Sequence, residues 1–172
     1  MKKVGQVYWI TGLSGSGKTT LARELFLELQ KRNIPVILLD GDKVRDALDN
    51  VFGYSPEERK KAAYAYARLS ALIVNQGINV VVATISMFHD VRKWNATHIQ
   101  NYIEIYLKSD RVLLEKRDSK GFYAYARDRD TFFMVGHSQK FEEPLSPNFT
   151  FVASDTLDIS KTVQHILDNN KG

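Results

Sequence analysis

The sequence contains no cysteine, which removes disulfide frameworks, zinc–thiolate sites and thiol nucleophiles from its chemistry. Proline is scarce, with four in 172 residues, so no proline-rich linker divides the chain. The four histidines, His89, His98, His137 and His165, lack the spacing of metal ligands. No run approaches the roughly 18 apolar residues of a membrane span. The N-terminal MKK precedes an apolar stretch too short for a signal peptide, so the expectation is a cytoplasmic protein with no membrane contact. A formal charge of +4 suits small anionic substrates and is too weak to argue for a nucleic-acid partner.

What is present begins at residue 12. The stretch GLSGSGKT follows the apolar run QVYWI and fits the phosphate-loop spacing GxxxxGK[ST], with Gly12, Gly17, Lys18 and Thr19 at the defining positions. Gly15 and Gly17 let backbone N–H groups curl round phosphate oxygens, because no Cβ stands in the way. Lys18 places a point charge on the β- and γ-phosphates, and Thr19 offers its hydroxyl to Mg²⁺. Ser14, Ser16 and Thr20 complete the expected ATP-binding set. The context agrees: Gln6–Ile10 reads as a buried strand and Thr19–Arg32 as an amphipathic helix whose N-terminus favours anions. The guanine-reading pattern Asn-Lys-x-Asp does not occur, which favours ATP and a phosphoryl acceptor over a GTPase switch.

Strand-like and helix-like stretches alternate without repeats or low-complexity tracts, which predicts one α/β domain over 1–172 with a mainly parallel sheet. The strands are expected at Gln6–Ile10, Val36–Leu39, Asn79–Ala83, Tyr102–Leu107 and Asn148–Ala153, covered on both faces. Helices are expected at Thr19–Arg32, Lys43–Asp49, Pro56–Gln76, Asp90–Thr97, Asp110–Arg117 and Asp158–Asn169. Between Arg117 and Phe149 the period is lost, and a lid over about 118–147 is the expectation. Strand two runs into LLDGDKVR. Functional groups collect at the carboxyl ends of parallel strands, so Asp40 and Asp42 are expected to face Mg²⁺ and the acceptor, and Arg45 to clamp an anionic acceptor. Asp42 is alternatively the cap of the following helix.

With GLSGSGKTTLA, LDGDKVRDAL, FGYSPEER, ATISMF, EKRDSKGFYAYAR and FEEPLSPN in this order, the chain resembles the adenylylsulfate (APS) kinase family over about Val7 to Phe151. The resemblance implies a P-loop kinase fold with a five-stranded parallel sheet ordered 2-3-1-4-5, helices on both faces and a lid. It implies transfer of the ATP γ-phosphate to a ribose 3′-hydroxyl, with ATP and Mg²⁺ required and a small nucleotide as partner. By resemblance, Lys18 and Thr19 serve ATP–Mg²⁺, Asp42 is the acceptor-side carboxylate acting through a metal-bound water or as base, and Arg117 lies over the adenine. Arg45, Tyr54 and Arg59 would hold the acceptor, Ile85 and Ser86 would border its base, and Lys120 would reach in from the lid. Phe133 joins Tyr54 as a candidate stacking ring. Ser86 is a contact residue first and a nucleophile second, because in-line transfer needs no covalent step. The family is often dimeric, which makes a homodimer an expectation.

The acceptor half departs from the family pattern. Ala62 stands where an Asn belongs, Tyr64 and Ala65 replace a basic pair, and Met87 replaces a proline. The branch that phosphorylates cytidine 5′-diphosphoramidate in capsular phosphoramidate synthesis is therefore the better match. APS as acceptor and a non-catalytic ATP-binding regulator are the alternatives.

Overall fold

In the computed structural model, which describes residues 4–117 and 141–170, the strand β1 (Val7–Gly12) is buried along its whole length. Its side chains alternate between two apolar clusters, as the two-residue period of a strand requires. Tyr8 and Ile10 enter one cluster with Leu21, Leu25 and Leu29 of α1 (Lys18–Lys31) and with Val163 and Ile166 of α6 (Ile159–Asn169). Val7 and Trp9 enter the other with Ala62, Ala63, Tyr66 and Ala67 of α3 (Pro56–Val74) and Val91 of α4 (His89–His98). One central strand thus anchors both helical layers.

The remaining elements are β2 (Val36–Asp40), α2 (Gly41–Ala47), β3 (Asn79–Thr84), β4 (Tyr102–Lys108), α5 (Arg111–Lys116) and β5 (Phe149–Val152). The strand order is β2-β3-β1-β4-β5, and every pairing is parallel. This is the predicted order. Register brings the carboxyl ends of β1, β3 and β2 together, with Thr11 opposite Thr84 and Asp40 opposite Ala83.

Two expectations need correction. Coverage on both faces holds for β1, β3 and β4 but not for the edges, where alternate residues of β5 face solvent and Val152 is 67% exposed. The second concerns α2, which starts at Gly41 rather than Lys43. Its N-cap is Asp40, whose carboxylate accepts from the Asp42 amide at 3.1 Å. The capping role belongs to Asp40, and Asp42 sits in the first turn, where a negative charge suits the helix dipole. The long helix α3 begins as its sequence predicts, with Pro56 behind a Ser55–Glu58 capping box. It closes at Val74, and Gly77, at φ 89°, donates to the Val74 carbonyl at 3.0 Å as the chain turns toward β3.

Candidate active site

The phosphate-loop residues leave β1 at its carboxyl end and enter α1 through Gly17, the N-cap, at φ 97°. A side chain would be strained in that left-handed conformation. Gly12 is needed for a different reason: a Cβ there would lie 2.6 Å from the Leu107 carbonyl oxygen and 2.8 Å from Ser16 Oγ. Ser16 is 2% exposed, and its hydroxyl has no hydrogen-bond partner among the described residues. Lys18 Nζ folds back to donate to the Leu13 carbonyl at 2.7 Å, which holds its charge over the loop.

Thr19 Oγ1 donates to Asp40 Oδ2 at 2.8 Å. Asp40 is 8% exposed, and its other oxygen caps α2. One carboxylate therefore ties the start of α1 to the end of β2. Asp42 is exposed on the first turn of α2.

Three residues further along α2, Arg45 is 9% exposed; its Nη1 donates to the carbonyls of Phe52 and Gly53. These bonds fix a guanidinium 4.8 Å from the centroid of the Tyr54 ring. Arg59, from α3, lies 5.3 Å from the same ring and donates through Nε to the Tyr54 carbonyl at 2.8 Å. Burial, and then the neighbouring charge of Arg45, pull the Arg59 pKa below its usual value. Tyr54 is 59% exposed. An exposed aromatic face with two cations on it suits a planar anionic ligand.

Beyond β3 the chain runs Ile85–Ser86–Met87. Thr11 Oγ1 donates to the Ile85 carbonyl at 2.6 Å and lies 3.4 Å from Met87 Sδ. Ser86 has φ 22°, an uncommon value for a non-glycine residue, and is 5% exposed with no partner for its hydroxyl among the described residues. On the other side of the phosphate loop, Arg117 donates to Asp155 Oδ1 from Nε at 3.0 Å and Nη2 at 2.7 Å, while Lys116 reaches Asp155 Oδ2 at 2.9 Å. A Cβ on Gly15 would lie 3.9 Å from Arg117 Cβ, which puts Arg117 against the loop.

With this geometry, comparison with known proteins is decisive: the model of the family described as adenylylsulphate kinase matches residues 4–152. The chain belongs to the adenylylsulphate kinase family. An adenylyl-sulfate kinase of Phocaeicola vulgatus is 37% identical over 166 residues, 95% of this chain and 81% of that protein. A cytidine diphosphoramidate kinase of Campylobacter jejuni is 36% identical over 144 residues, 84% of each chain. The structure of an APS kinase from Mycobacterium tuberculosis in complex with AMPPNP and APS has a TM-score of 0.87 and 28% identity, with 96% of this chain and 97% of that one covered.

The fold of this adenylylsulphate kinase family member brings most of the predicted residues to one edge of the sheet. Gly12 to Thr20, Asp40, Asp42, Arg45, Ile85 and Ser86 lie at or beside the carboxyl ends of β1, β2 and β3, with Tyr54 and Arg59 joined to them through Arg45. Lys120, Phe133 and residues 118–140 of the predicted lid lie outside the described residues. Ala62 and Met87 are each 2% exposed within apolar clusters, and the ring of Tyr64 packs edge-on against Trp94 of α4. These departures from the family pattern are packed into the apolar interior or against α4. Asp155 was missed in the sequence, although its place just after β5 follows the same strand-end rule that found Asp40. Arg92 and Glu104 were also missed; a Glu inside the apolar strand YIEIYL was the available signal.

Proposed function

We propose that this protein is an Mg²⁺-dependent ATP kinase that transfers the γ-phosphate to the ribose 3′-hydroxyl of a 5′-modified nucleotide, with cytidine 5′-diphosphoramidate as acceptor. The observation that carries the reading is the pairing of two anion sites at one edge of the sheet: the phosphate loop, and the Arg45–Tyr54–Arg59 cluster. A hydrolase needs only the first. A phosphoryl transferase needs a second pocket that binds and orients the attacking hydroxyl.

In this reading the loop amides, Lys18 and the Ser16 hydroxyl hold the donor phosphates, and Arg117, steadied by Asp155, borders the adenine. Among the described residues no cluster of three or more His, Asp or Glu side chains could hold a metal alone. That fits Mg²⁺, which takes one or two protein ligands and completes its shell with phosphate and water. Thr19 and Asp40, already hydrogen-bonded to each other, are the residues that would hold it, and its charge would neutralise the phosphate oxygens. Asp42 is assigned to take the proton of the acceptor hydroxyl. Tyr54 stacks on the acceptor base, while Arg45 and Arg59 meet its 5′-substituent. Lys120 and Phe133 are assigned to the acceptor as well, on sequence grounds.

Cytidine is preferred because a cytidine diphosphoramidate kinase is among the relatives, at 36% identity over 84% of the chain, and stacking on Tyr54 tolerates a change of base. APS is the second reading, favoured by the adenylyl-sulfate kinase relative that matches 95% of the chain. Both share donor, hydroxyl and reaction type. Acceptor-dependent ADP release with each nucleotide, and ³¹P NMR of the product, separate them. The expected result is a kcat/KM at least about tenfold higher with cytidine 5′-diphosphoramidate, roughly 1.4 kcal/mol of transition-state discrimination. Efficient use of APS with no cytidine activity overturns the acceptor and leaves the reaction type. ATP binding without ADP release for either acceptor overturns the kinase reading.

A further inference from the structure

The N-cap of helix α4 is Phe88, a residue that supplies no side-chain cap. The first-turn amide of His89 instead donates to the carboxylate of Glu142, more than fifty residues away in sequence. The Glu142 amide in turn donates to the Met87 carbonyl at 3.1 Å, so the two segments are laced in both directions. Phe141 packs into the small cluster of Leu13, Met87, Tyr106 and Leu114, with Ile85 at its edge.

Arg92 secures this arrangement from below. It is 6% exposed, its Nη2 donates to the Glu142 carbonyl at 2.7 Å and the Glu143 carbonyl at 3.2 Å, and the same nitrogen lies 2.7 Å from His89 Nδ1. Its Nε lies 3.4 Å from Glu104 Oε1 on β4, and Glu104 is 8% exposed. A buried ion pair costs desolvation free energy and is a poor way to gain stability. Its geometry here serves another end: Nη2 meets two successive carbonyls while Nε stays beside Glu104, a reach across separate segments that the single nitrogen of a lysine cannot reproduce. The held backbone abuts Met87, next to Ile85 and Ser86. Thr11 ties the Ile85 carbonyl to the end of β1.

We propose that Arg92 is a positioning residue for acceptor binding. It fixes the backbone of Glu142 and Glu143 against Ile85–Met87, and so sets the wall beside the acceptor pocket, without itself bonding to the donor loop. The proposal rests on the nucleotide-kinase reading for its kinetic consequence and on the hydrogen-bond pattern for its structural one. A residue that only supported the fold would lower stability and disturb donor and acceptor parameters together.

Two readouts test it. In the wild-type protein, NMR-detected hydrogen exchange should find the Glu142 amide protected by at least about tenfold over a free chain. Arg92→Met should abolish that protection and leave the Val81 and Val82 amides unchanged. In ADP-release assays Arg92→Met should raise the acceptor KM by about tenfold or more, with the ATP KM within about twofold of wild type; Arg92→Lys, which keeps the charge on a single nitrogen, should fall between. The double variant Arg92→Met/Glu104→Gln removes the orphaned carboxylate and must show the same acceptor effect, which covers a single variant that fails to fold. Free-chain exchange at Glu142 in the wild type, or an acceptor KM unmoved in a folded variant, overturns the proposal. A wild-type enzyme that phosphorylates no nucleotide overturns the functional reading instead, and the exchange measurement then decides whether Arg92 fixes this backbone.

Discussion

Replacing Asp40 with Asn tests the join between the phosphate loop and the end of β2. In the wild-type protein the two carboxylate oxygens have separate duties, one accepting from Thr19 Oγ1 at 2.8 Å and the other from the Asp42 amide at 3.1 Å. Asn has a single carbonyl oxygen, and it is as good an N-cap as Asp. The oxygen should therefore stay on the Asp42 amide and the NH₂ group should turn toward Thr19. The threonine hydroxyl loses its acceptor and the site loses a negative charge. Global stability should fall by only about 1 kcal/mol, a few degrees in Tm for a chain of this size, because the cap survives.

Turnover should fall much further. A charged group that positions the metal and the transferring phosphoryl acts mainly in the transition state, so a loss on the order of 10²–10³ in kcat, about 2.7–4 kcal/mol, is expected. The assay is ADP release at saturating ATP and acceptor, repeated across an Mg²⁺ titration, with Tm measured alongside. Asp40→Asn should need more Mg²⁺ to reach its reduced maximum. Asp42→Asn, on the exposed first turn of α2, should lose about 10²–10⁴ in kcat with an unchanged Mg²⁺ response, because its proposed task is the acceptor proton. If Asp40→Asn turns over within about threefold of wild type and responds normally to Mg²⁺, the assignment of Thr19 and Asp40 to the metal is wrong.

Lys18→Ala should keep its fold while kcat falls by roughly 10² or more, since the Lys18 charge gains most as negative charge shifts in transfer; circular dichroism and ADP release report the two halves. Tyr54→Ala should weaken acceptor binding by about 1–3 kcal/mol through lost stacking and leave ATP binding in the acceptor-free enzyme unchanged by calorimetry; equal weakening of both would move Tyr54 out of the acceptor site. Glu104→Gln should change how stability depends on pH. Burial raises the Glu104 carboxyl to about 7 against an ordinary 4.5, with Arg92 opposing. A raised carboxyl means that the folded state binds the proton more tightly. Its contribution is therefore fully present below about pH 4.5 and is lost as pH rises to about 7. Relative to Glu104→Gln, the wild type should lose up to about 3 kcal/mol over that window and nothing above it, as read by urea unfolding at several pH values. A difference that stays flat across the window would refute the buried, raised carboxyl.

The fold was legible because its signals were local and mutually consistent. A fully buried β1 followed by a phosphate loop and an amphipathic helix leaves few topologies, and α3 begins at Pro56, as its sequence predicts. The mistaken boundary at α2 came from competition between two aspartates for one task. Asp40 and Asp42 both fit a helix cap by type, and only the backbone decides which carboxylate faces the free amide: Asp40 is extended at ψ 126°, and Asp42 is already helical. The edge strands were over-covered in prediction because β5 is rich in apolar residues. Its side chains still alternate, Phe149 and Phe151 packing against the first core cluster while Val152 stays outside.

The placement of the candidate residues was legible wherever they follow strand ends, and obscure wherever it depended on side chains meeting across long sequence separations. Arg45, Tyr54 and Arg59 belong to α2, a loop and α3, and nothing in their spacing says that two guanidiniums share one ring. The departures at Ala62, Tyr64 and Met87 show the converse. Read along the sequence they describe an emptied pocket, but each has a packing role: Ala62 in the cluster around Val7 and Trp9, Tyr64 against Trp94, and Met87 under Leu13 and beside Thr11. A polar residue lost from such a position takes its hydrogen-bonding partner's environment with it, so apolar replacements come as a set that must pack together. Under the proposed function, acceptor choice turns on the Arg45–Tyr54–Arg59 cluster and the backbone of Ile85–Met87. The second of these is held in place by Arg92, a residue that touches neither the phosphate loop nor the Tyr54 ring.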